Sequence, residues 1–371
     1  MKTPHADVPH AEDLRADVAV LGSGFSGSLM ALVLQRLGLN AVVLDRATHP
    51  RFTIGESSTP IGNMILRDLA ERYDLPRLAP LAKHGPWKKA YPSVGVGRKR
   101  GFSYVHHAPG QPFTPDPAHA NELLVAASAD PYRSDTHWLR AEVDAFLAGE
   151  VQAAGIPLLE GAEVVAVEPG PPWQIEAQQR GARIRCTAEA VIDATGPAAL
   201  VPHALGLADE RDQLKTHSRA LYTHVCGLER WQDWVAARGA RVGDYPYPCD
   251  EAALHHVLDA GWLWELRFDD GRVSAGLVLD AMRHPPDPGR VPAEAWKHHL
   301  RRYPTLQKRF AAPEIATPPG RFMRTGRLQR CWSRAAGPRW AALPFTAGFI
   351  DPLHSTGIAH TLSGIERLAR A

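Results

Sequence analysis

Apolar and polar positions near the start of the chain predict a strand, a tight turn, a helix and a second strand. The run Asp17-Val-Ala-Val-Leu21 is short and apolar, a glycine-rich turn follows, and residues 28–38 carry a helical pattern. A second apolar run, Asn40-Ala-Val-Val-Leu44, comes next. Short apolar strands that alternate with helices are typical of parallel sheets buried on both faces. The front of the chain therefore predicts an α/β domain with a doubly wound sheet.

The turn between this strand and helix has the pattern of a dinucleotide-binding loop. It reads Gly22-Ser-Gly24-Phe25-Ser26-Gly27. In such a loop the first glycine permits the tight turn, the second lets the backbone approach a pyrophosphate, and the third lets the helix pack on the strand. Amide groups at the start of the helix then face the phosphates. The pattern predicts one dinucleotide site and leaves FAD and NAD(P) as alternatives.

An acidic residue supports this site from the end of the second strand. Asp45 follows the last glycine by 45 − 27 = 18 residues, which is the position of the ribose-binding acid. A second glycine-rich stretch, 95–101, carries cations that would suit a 2′-phosphate. Its spacing differs from the dinucleotide pattern and no amphipathic helix follows it. We therefore interpret 95–101 as a surface hairpin and expect a single nucleotide site.

A later segment predicts a pair of strands with an aromatic face. Two apolar runs flank Asp269-Asp270-Gly271, which is a strong hairpin signal. Trp262 and Trp264 are two positions apart in the first run, so they share one face of the strand. Packing of the sheet is a sufficient explanation for both tryptophans at this point.

Composition narrows the class of protein. At 371 residues the chain exceeds one ordinary domain, and 42 basic against 40 acidic residues leave a net charge of +2 without a long block of one sign. Nucleic acid is therefore not an expected partner. The first 16 residues are polar and no apolar run approaches the roughly 18 residues of a membrane span, so we expect neither a leader nor an anchor and place the protein in the cytoplasm.

Cysteine and histidine usage indicates no metal. The four cysteines lack CxxC spacing, which predicts buried thiols in a reducing compartment rather than disulfides or a zinc site. Histidine pairs are adjacent in sequence, and adjacent side chains on a strand or helix point in different directions. We expect no metal ion in this protein.

Four further segments, in order along the chain, carry a family resemblance. They are Arg51-Phe-Thr-Ile-Gly55-Glu56-Ser57-Ser-Thr-Pro60, the segment 138–147 with its arginine, the strand-like 190–196 ending in Ala-Thr195-Gly196, and Gly348-Phe-Ile-Asp351-Pro-Leu-His354-Ser355-Thr356-Gly357-Ile358. Together with the glycine loop they resemble the flavin-dependent halogenases, over nearly the whole chain. The segment around Trp262 and Trp264 is similar to the WxWxIP signature of that family, with Leu266 and Arg267 in place of isoleucine and proline.

The resemblance implies a glutathione-reductase-type, Rossmann-like FAD-binding domain with an inserted substrate domain of sheet and helix. The FAD-binding domain is expected to be discontinuous, over 14–60, 130–215 and 320–371, with the substrate domain over 61–129 and 216–319. The residues that the resemblance implies at FAD are Gly22, Gly24, Phe25, Ser26, Gly27, Asp45, Arg46, Arg51, Gly55, Ser57, Arg140, Thr195, Gly196, Asp351 and Ile358.

The activity that the resemblance implies is halogenation with chloride or bromide. A separate flavin reductase, which binds only transiently, supplies the reduced FAD. Reduced FAD reacts with oxygen to give a flavin hydroperoxide, and the hydroperoxide reacts with halide to give hypohalous acid. The hypohalous acid is directed at a small aromatic or electron-rich substrate. Thr356 and Gly357 are the implied halide site, where the alternative is a plain helix start capped by Ser355 or Thr356. In the family the two tryptophans are thought to discourage ordinary monooxygenation, which is an alternative to simple packing here.

A lysine is implied between the flavin and the substrate, where it holds or carries the electrophilic halogen. Lys83 fits the KxG pattern of the phenol and pyrrole members. Lys88 and Lys89 are alternatives if the family lysine aligns a few residues later. For each of the three, a solvated surface lysine without a catalytic role remains an alternative. Glu56 in the flavin loop is a further catalytic candidate. His354 stands where tryptophan-type members carry a glutamate, either as an acid or base or as a structural donor.

Two departures from the family pattern matter. The family usually has GDAAG where this chain has Pro344-Phe345-Thr346-Ala347-Gly348, so an expected carboxylate contact to FAD is missing. The sequence given also reaches Ala371 without the largely helical C-terminal region of the family. A flavin monooxygenase or oxidoreductase without halide chemistry, and a catalytically inactive flavin-binding paralogue, are therefore the alternative functions.

Overall fold

The strands of the computed structural model, which describes residues 12–371, form two large sheets and two small ones. Their bounds are β1 (Glu12–Leu21), β2 (Ala41–Asp45), β3 (Val96–Lys99), β4 (Gly101–His106), β5 (Glu122–Ala126), β6 (Asp135–Trp138), β7 (Leu158–Glu160), β8 (Glu163–Glu168), β9 (Trp173–Gln179), β10 (Ala182–Asp193), β11 (Ser218–Cys226), β12 (Ala253–Leu258), β13 (Gly261–Arg267), β14 (Val273–Asp280), β15 (Glu314–Ile315), β16 (Met323–Arg324), β17 (Arg330–Cys331), β18 (Ala336–Gly337), β19 (Trp340–Ala342) and β20 (Gly348–Phe349).

The α-helices pack on these sheets or connect their strands. They are α1 (Phe25–Arg36), α2 (Pro60–Arg72), α3 (His84–Ala90), α4 (Arg140–Ala153), α5 (Leu200–Ala204), α6 (Trp231–Ala236), α7 (Pro292–Leu300), α8 (Pro304–Arg309), α9 (Pro344–Ala347) and α10 (Thr356–Leu368).

The first large sheet has a parallel centre in the order β19-β10-β1-β2-β7. The predicted strand, glycine turn, helix and strand are confirmed as β1, α1 and β2. Alternate residues of β1 and β2 enter two different cores: Val18, Val20 and Val43 pack with α1, α2, α4 and α10, whereas Ala19 and Leu44 pack under β8, β9 and β10. Burial on both faces explains why residues 18–21 of β1 and 41–44 of β2 are all apolar.

The second large sheet is mostly antiparallel, in the order β15-β11-β14-β13-β12-β4-β5. The hairpin predicted around Asp269-Asp270-Gly271 is confirmed, because β13 and β14 pair antiparallel on either side of it. Helices α7 and α8 cover one face of this sheet through Trp296, Leu300 and Leu306. The opposite face carries both tryptophans of β13, as their spacing predicted.

The interpretation of 95–101 as a surface hairpin is wrong. Strand β3 pairs with β6, whereas β4 pairs with β5 and β12, so the two strands separate instead of forming a hairpin. Gly97 has a packing role: a Cβ atom there would lie 1.9 Å from the carbonyl oxygen of Arg267 in β13. The glycine serves close approach of two strands, and Lys99 is carried into the interior with only 1% of its surface exposed.

Three other expectations have partial outcomes. Cys186 and Cys249 are buried thiols as predicted, but Cys226 and Cys331 are half-buried because both lie at the ends of strands. Over residues 12–371 no helix is both long enough and apolar enough to span a bilayer. The prediction that the first 16 residues are polar and carry no leader concerns mainly residues 1–11, which lie outside the described residues. Residues 12–16 belong to β1. The proposed domain boundaries stay a prediction.

Candidate active site

The glycine turn after β1 forms a cradle that only small residues allow. Gly22 has φ +98°, and a Cβ atom there would lie 2.7 Å from the carbonyl oxygen of Ala194 at the end of β10. A Cβ atom on Gly27 would lie 1.8 Å from the carbonyl oxygen of Gly22. The position of Gly24 is open, with its nearest neighbours the guanidinium groups of Arg51 and Arg140 at 3.6 and 3.7 Å. The turn thus presents backbone beside two cations.

Gly27→Ala is expected to abolish nucleotide binding. The added methyl group meets fixed backbone at a distance that no rotamer relieves, so α1 must move away from β1, and overpacking of this kind costs about 1–3 kcal/mol. Titration with FAD checks the loss, and chemical denaturation checks the destabilisation. Gly149→Ala is the matched control, because a Cβ atom on that glycine of α4 meets no atom within 4 Å. Equal FAD affinity in both variants contradicts the role of Gly27.

Asp45 is held ionised at the end of β2. Its Oδ2 accepts hydrogen bonds from the backbone N–H and hydroxyl of Ser23, at 2.7 and 2.8 Å, and lies 3.2 Å from Nη2 of Arg51. Burial raises the pKa of Asp45, but the charge of Arg51 and the hydrogen bonds outweigh it and hold the pKa below its ordinary value. A charged carboxylate at this place suits a ribose hydroxyl.

Two arginines bring positive charge to the open side of the turn. Arg140 donates through Nε and Nη2 to both oxygens of Asp144, at 2.8 and 2.9 Å, and through Nη1 to the carbonyl of Gly55 at 3.0 Å. Its guanidinium group lies 4.7 Å from the ring centre of Phe25. Arg51 Nη1 lies 3.9 Å from the same Asp144. Asp144 therefore orients Arg140, and Asp45 at 3.2 Å is the nearer carboxylate of Arg51. Arg46 is exposed.

The segment at the end of β10 packs against the substituted 344–348 segment. The amide and hydroxyl of Thr195 donate to Asp193 at 2.8 and 2.6 Å, and the amide of Gly196 donates to the hydroxyl of Thr346 at 2.9 Å. Thr346 thus joins the two segments by a hydrogen bond to the backbone. The ring of Phe345 lies against Gly196.

The loop 55–60 is bound along β6 as a short extra strand. Trp138 donates its backbone N–H to Glu56 O at 2.6 Å, and Ser58 donates its own to Thr136 O at 3.0 Å. The Glu56 side chain is 2% exposed and lies 2.8 Å from Nε2 of His224, a residue of β11 that the sequence patterns did not indicate. Glu56 therefore joins the loop to the second sheet, and its catalytic role stays a prediction.

The two tryptophans of β13 face this same loop. Trp262 and Trp264 lie 5.8 Å apart between ring centres, and Ile54 packs into the same apolar cluster. The indole N–H of Trp264 donates to the hydroxyl of Ser274 at 3.1 Å. A Cβ atom on Gly276 would overlap the ring of Trp264. The ring is thus fixed beneath the loop.

The structure places the predicted lysines at the surface side of α3. Lys83 Nζ lies 2.9 Å from Asp135 Oδ1, and 35% of the Lys83 side chain is exposed. Lys88 lies 3.4 Å from Asp269, and Lys89 is exposed. All three are therefore in or near solvent.

A further lysine, Lys99, is buried beside the 55–60 loop, where the sequence patterns did not place it. Its Nζ donates to the carbonyl of Ser58 in the loop at 2.7 Å and lies 4.2 Å from the ring centre of Phe102. Burial lowers the pKa of Lys99 to about 7, against the opposing effect of Asp135. A neutral amine is thus present near pH 7, which an exposed lysine does not provide. The sequence signal was the spacing Lys99-Arg100-Gly101, a second KxG.

Neutral imidazoles border Lys99. Burial lowers the pKa of both His137 and His255 to about 3, and the charge of Lys99 acts in the same direction. The His255 ring stacks on Tyr104 with ring centres 4.9 Å apart. Uncharged rings thus border the amine on one side, and the carboxylate of Asp135 is the charged group that opposes the effect of burial.

The Asp351 loop lies between the two sheets. Asp351 accepts the backbone N–H of Leu353 at 2.9 Å and the hydroxyl of Ser218 on β11 at 3.4 Å, and burial raises its pKa. His354 is exposed and Ile358 is buried. Ser355 has φ +54° and no side-chain hydrogen bond caps α10, so the alternative of side-chain capping by Ser355 or Thr356 is not observed. Thr356 and Gly357 form the first turn of α10, and a halide there stays a prediction.

Over residues 12–371 no group of three or more His, Cys, Asp or Glu side chains is arranged to hold a metal ion. The site combines a parallel sheet, a glycine turn, an acidic residue placed for a ribose and two arginines. These features define a protein of the Rossmann-like dinucleotide-binding α/β class. The family model described as tryptophan halogenase matches residues 127–371, so the chain belongs to that family.

Individual relatives agree with this assignment. Tetracycline 7-halogenase of Kitasatospora aureofaciens is 29% identical over 99% of this chain and 64% of its own length. Monodechloroaminopyrrolnitrin halogenase PrnC of Pseudomonas fluorescens is 31% identical over 95% of this chain and 60% of its own length. This chain thus spans less than two thirds of the length of either.

The fold class is confirmed by solved structures. The crystal structure of halogenase PltM in complex with phloroglucinol and FAD superimposes with a TM-score of 0.85 at 26% identity, over 96% of this chain and 69% of that one. The flavin-dependent halogenase CmlS, at 20% identity and a TM-score of 0.70, shares the fold.

Proposed function

We propose that this protein halogenates a small, electron-rich aromatic molecule with chloride or bromide, using reduced FAD and oxygen. The observation that carries the proposal is the buried Lys99 amine, hydrogen-bonded to the same 55–60 loop that Arg140 ties to the nucleotide turn. One short loop therefore connects a dinucleotide site to an amine whose pKa is about 7. The halogenase relatives support the reaction type.

FAD fits the residues present at the nucleotide turn. The amides of the turn and the start of α1 would receive the pyrophosphate, Asp45 a ribose hydroxyl, and Arg51 and Arg140 the phosphate charge. Bound reduced FAD supplies, with oxygen, the oxidising power that converts halide to hypohalous acid. A separate flavin reductase is the proposed electron source, because the one dinucleotide motif is assigned to FAD.

Lys99 replaces Lys83 in our proposal as the lysine that holds the electrophilic halogen. An amine must be unprotonated to take a halogen, and desolvation supplies that form at Lys99. Lys83 instead forms an ion pair with Asp135 at 2.9 Å, and 35% of its side chain is exposed. The Lys99 site is also sealed, which protects a reactive electrophile from water.

The substrate is proposed to approach along the aromatic face of the second sheet. Phe102 lies against Lys99, and Tyr104, His255 and Trp262 follow on the same face. Aromatic side chains in offset or edge contact favour an aromatic ligand. The relative that is solved with a ligand carries phloroglucinol, an electron-rich ring.

Bromination of a substrate panel tests the function. Protein, FAD, flavin reductase, NADH, oxygen and bromide are incubated with phenols, indoles and pyrroles, and products are examined by mass spectrometry for the bromine isotope pattern. We expect a brominated product that requires both reduced flavin and protein. Hydroxylated product formed without halide identifies a monooxygenase instead, and flavin binding without any product identifies an inactive paralogue.

A further inference from the structure

A cavity of about 310 Å³ lies outside the nucleotide site, between β11, α7 and the connection after β14. Ser218 of β11 contacts the Asp351 loop, and the next residue, Arg219, lines the cavity. Successive side chains of a strand point to opposite faces of the sheet. The cavity is therefore separated from the Asp351 loop by the sheet itself.

The charge lining this cavity is unbalanced. Arg219, Arg283, Arg290 and Arg324 line it, against the single carboxylate of Asp287. Asp287 lies 3.5 Å from Arg290. Within residues 12–371, the other three guanidinium groups form no ion pair with a carboxylate at 4.0 Å or less. The excess is 4 − 1 = 3 positive charges.

Arg219 is the group whose placement most requires a partner. It is 5% exposed, and its Nε donates to the carbonyl of His284 at 2.9 Å. Its Nη2 lies 3.3 Å from Nε2 of His299. These acceptors are neutral, so they orient the guanidinium group without balancing its charge. Burial, followed by the charge of Arg324, lowers the pKa of Arg219, and burying a cation without an anion is costly.

Two histidines of the cavity, His298 and His299, have lowered pKa values and so add donors and acceptors rather than charge. Burial lowers the pKa of His299 to about 4, and the charge of Arg219 adds to this effect. The pKa of His298 is lowered by burial and by Arg290 and Arg301, against the opposing effect of Asp287. The lining is thus a set of fixed cations with hydrogen-bonding rings between them.

We propose that this cavity binds a small molecule that carries a pyrophosphate or phosphate ester. Guanidinium groups pair with phosphate oxygens through two parallel hydrogen bonds, and several of them match a group with two or more negative charges. The volume of about 310 Å³ is at the lower end of the roughly 300–1,000 Å³ of small-molecule sites. This ligand is distinct from FAD, whose pyrophosphate is assigned to the glycine turn.

Calorimetric titration with inorganic pyrophosphate tests the site. The protein is first saturated with FAD, so that the glycine turn is occupied, and ionic strength is kept constant. We expect pyrophosphate to bind, and Arg219→Gln/Arg324→Gln to weaken binding at least tenfold while FAD affinity is unchanged. Because Arg219 is buried, the exposed Arg324→Gln is also measured alone, with a severalfold loss expected.

A matched charge control separates a built site from general attraction. Arg72→Gln/Arg185→Gln removes two charges from exposed positions outside the cavity. We expect this variant to bind pyrophosphate as the unmodified protein does. Absence of pyrophosphate binding to the FAD-saturated protein overturns the proposal, and so does an equal loss in both double variants.

Discussion

Lys99→Met is expected to lower the rate of bromination at least 100-fold while FAD still binds. The substitution keeps the length of the side chain and its contact with Phe102 but removes the amine. Positioned acid–base groups contribute about 10²–10⁴-fold to rates, and a lysine that holds the halogen is required in every turnover. Product formation is measured with saturating reductase, and FAD affinity is measured by fluorescence.

Lys83→Met is the matched control, because it removes an amine from a half-exposed position directly after the 3₁₀ turn at 79–82. We expect its bromination rate to fall by no more than a few-fold. The reverse result, with Lys83→Met inactive and Lys99→Met active, restores Lys83 as the functional lysine. Reduced FAD affinity in Lys99→Met shows instead that the amine mainly positions the 55–60 loop through Ser58.

The pH profile gives a second readout for Lys99. Its pKa is lowered to about 7, so the free amine is the main form above pH 7 and disappears as the pH falls below it. Bromination is expected to decline on the acid side near pH 7 in the unmodified protein. The Lys83→Met variant keeps this limb, because the ionisation belongs to Lys99. A profile without an acid limb near pH 7 contradicts the assignment.

The nucleotide end of the site was predictable because its determinants are local in sequence. Strand, glycine turn, helix and acid lie within residues 17–45, and each residue type has one physical reason to be there. The structure confirms the turn through the close approach of Gly27 to Gly22. The pair of arginines was indicated by motif, but the buried Asp144 that binds Arg140 is recognised only in three dimensions.

The position of Lys99, the lysine of our proposal, was not predictable because it depends on pairing between distant segments. Glycines at 95, 97 and 101 look like turn signals, yet Gly97 is required by contact with Arg267, far along the chain. Strand β3 pairs with β6, about 40 residues later, and this pairing buries Lys99 beneath the loop. Because the stretch 95–101 looks polar in sequence, Lys99 was assigned to the surface. Lys83 matches the local motif and lies in a half-exposed ion pair with Asp135, so its role as the functional lysine stays a prediction.

Arg309→Met is expected to destabilise the second sheet by about 3 kcal/mol. Glu265 of β13 is 1% exposed and accepts hydrogen bonds from Nε and Nη2 of Arg309 at 2.9 and 2.8 Å. Burial raises the pKa of Glu265, but Arg309 and His256 outweigh it and hold the pKa well below its ordinary value. Loss of one partner from a buried ion pair costs about 3–5 kcal/mol. We use the lower end because Arg267 lies 3.8 Å from Glu265.

The double variant Glu265→Gln/Arg309→Met separates a lost charge partner from lost packing. Removing both charges is expected to recover most of the stability, because no carboxylate is then left buried without its partner. The pH dependence has a definite sign. In Arg309→Met the pKa of Glu265 rises, so the folded variant takes up a proton and its deficit relative to the unmodified protein shrinks as pH falls toward 5. Urea denaturation of the three proteins at pH 5 and 7.5 measures both effects. The loss of stability in Arg309→Met could instead be independent of pH and remain in the double variant. That result would mean that Arg309 stabilises the sheet by packing against Trp231, whose ring centre lies 5.5 Å from the guanidinium group.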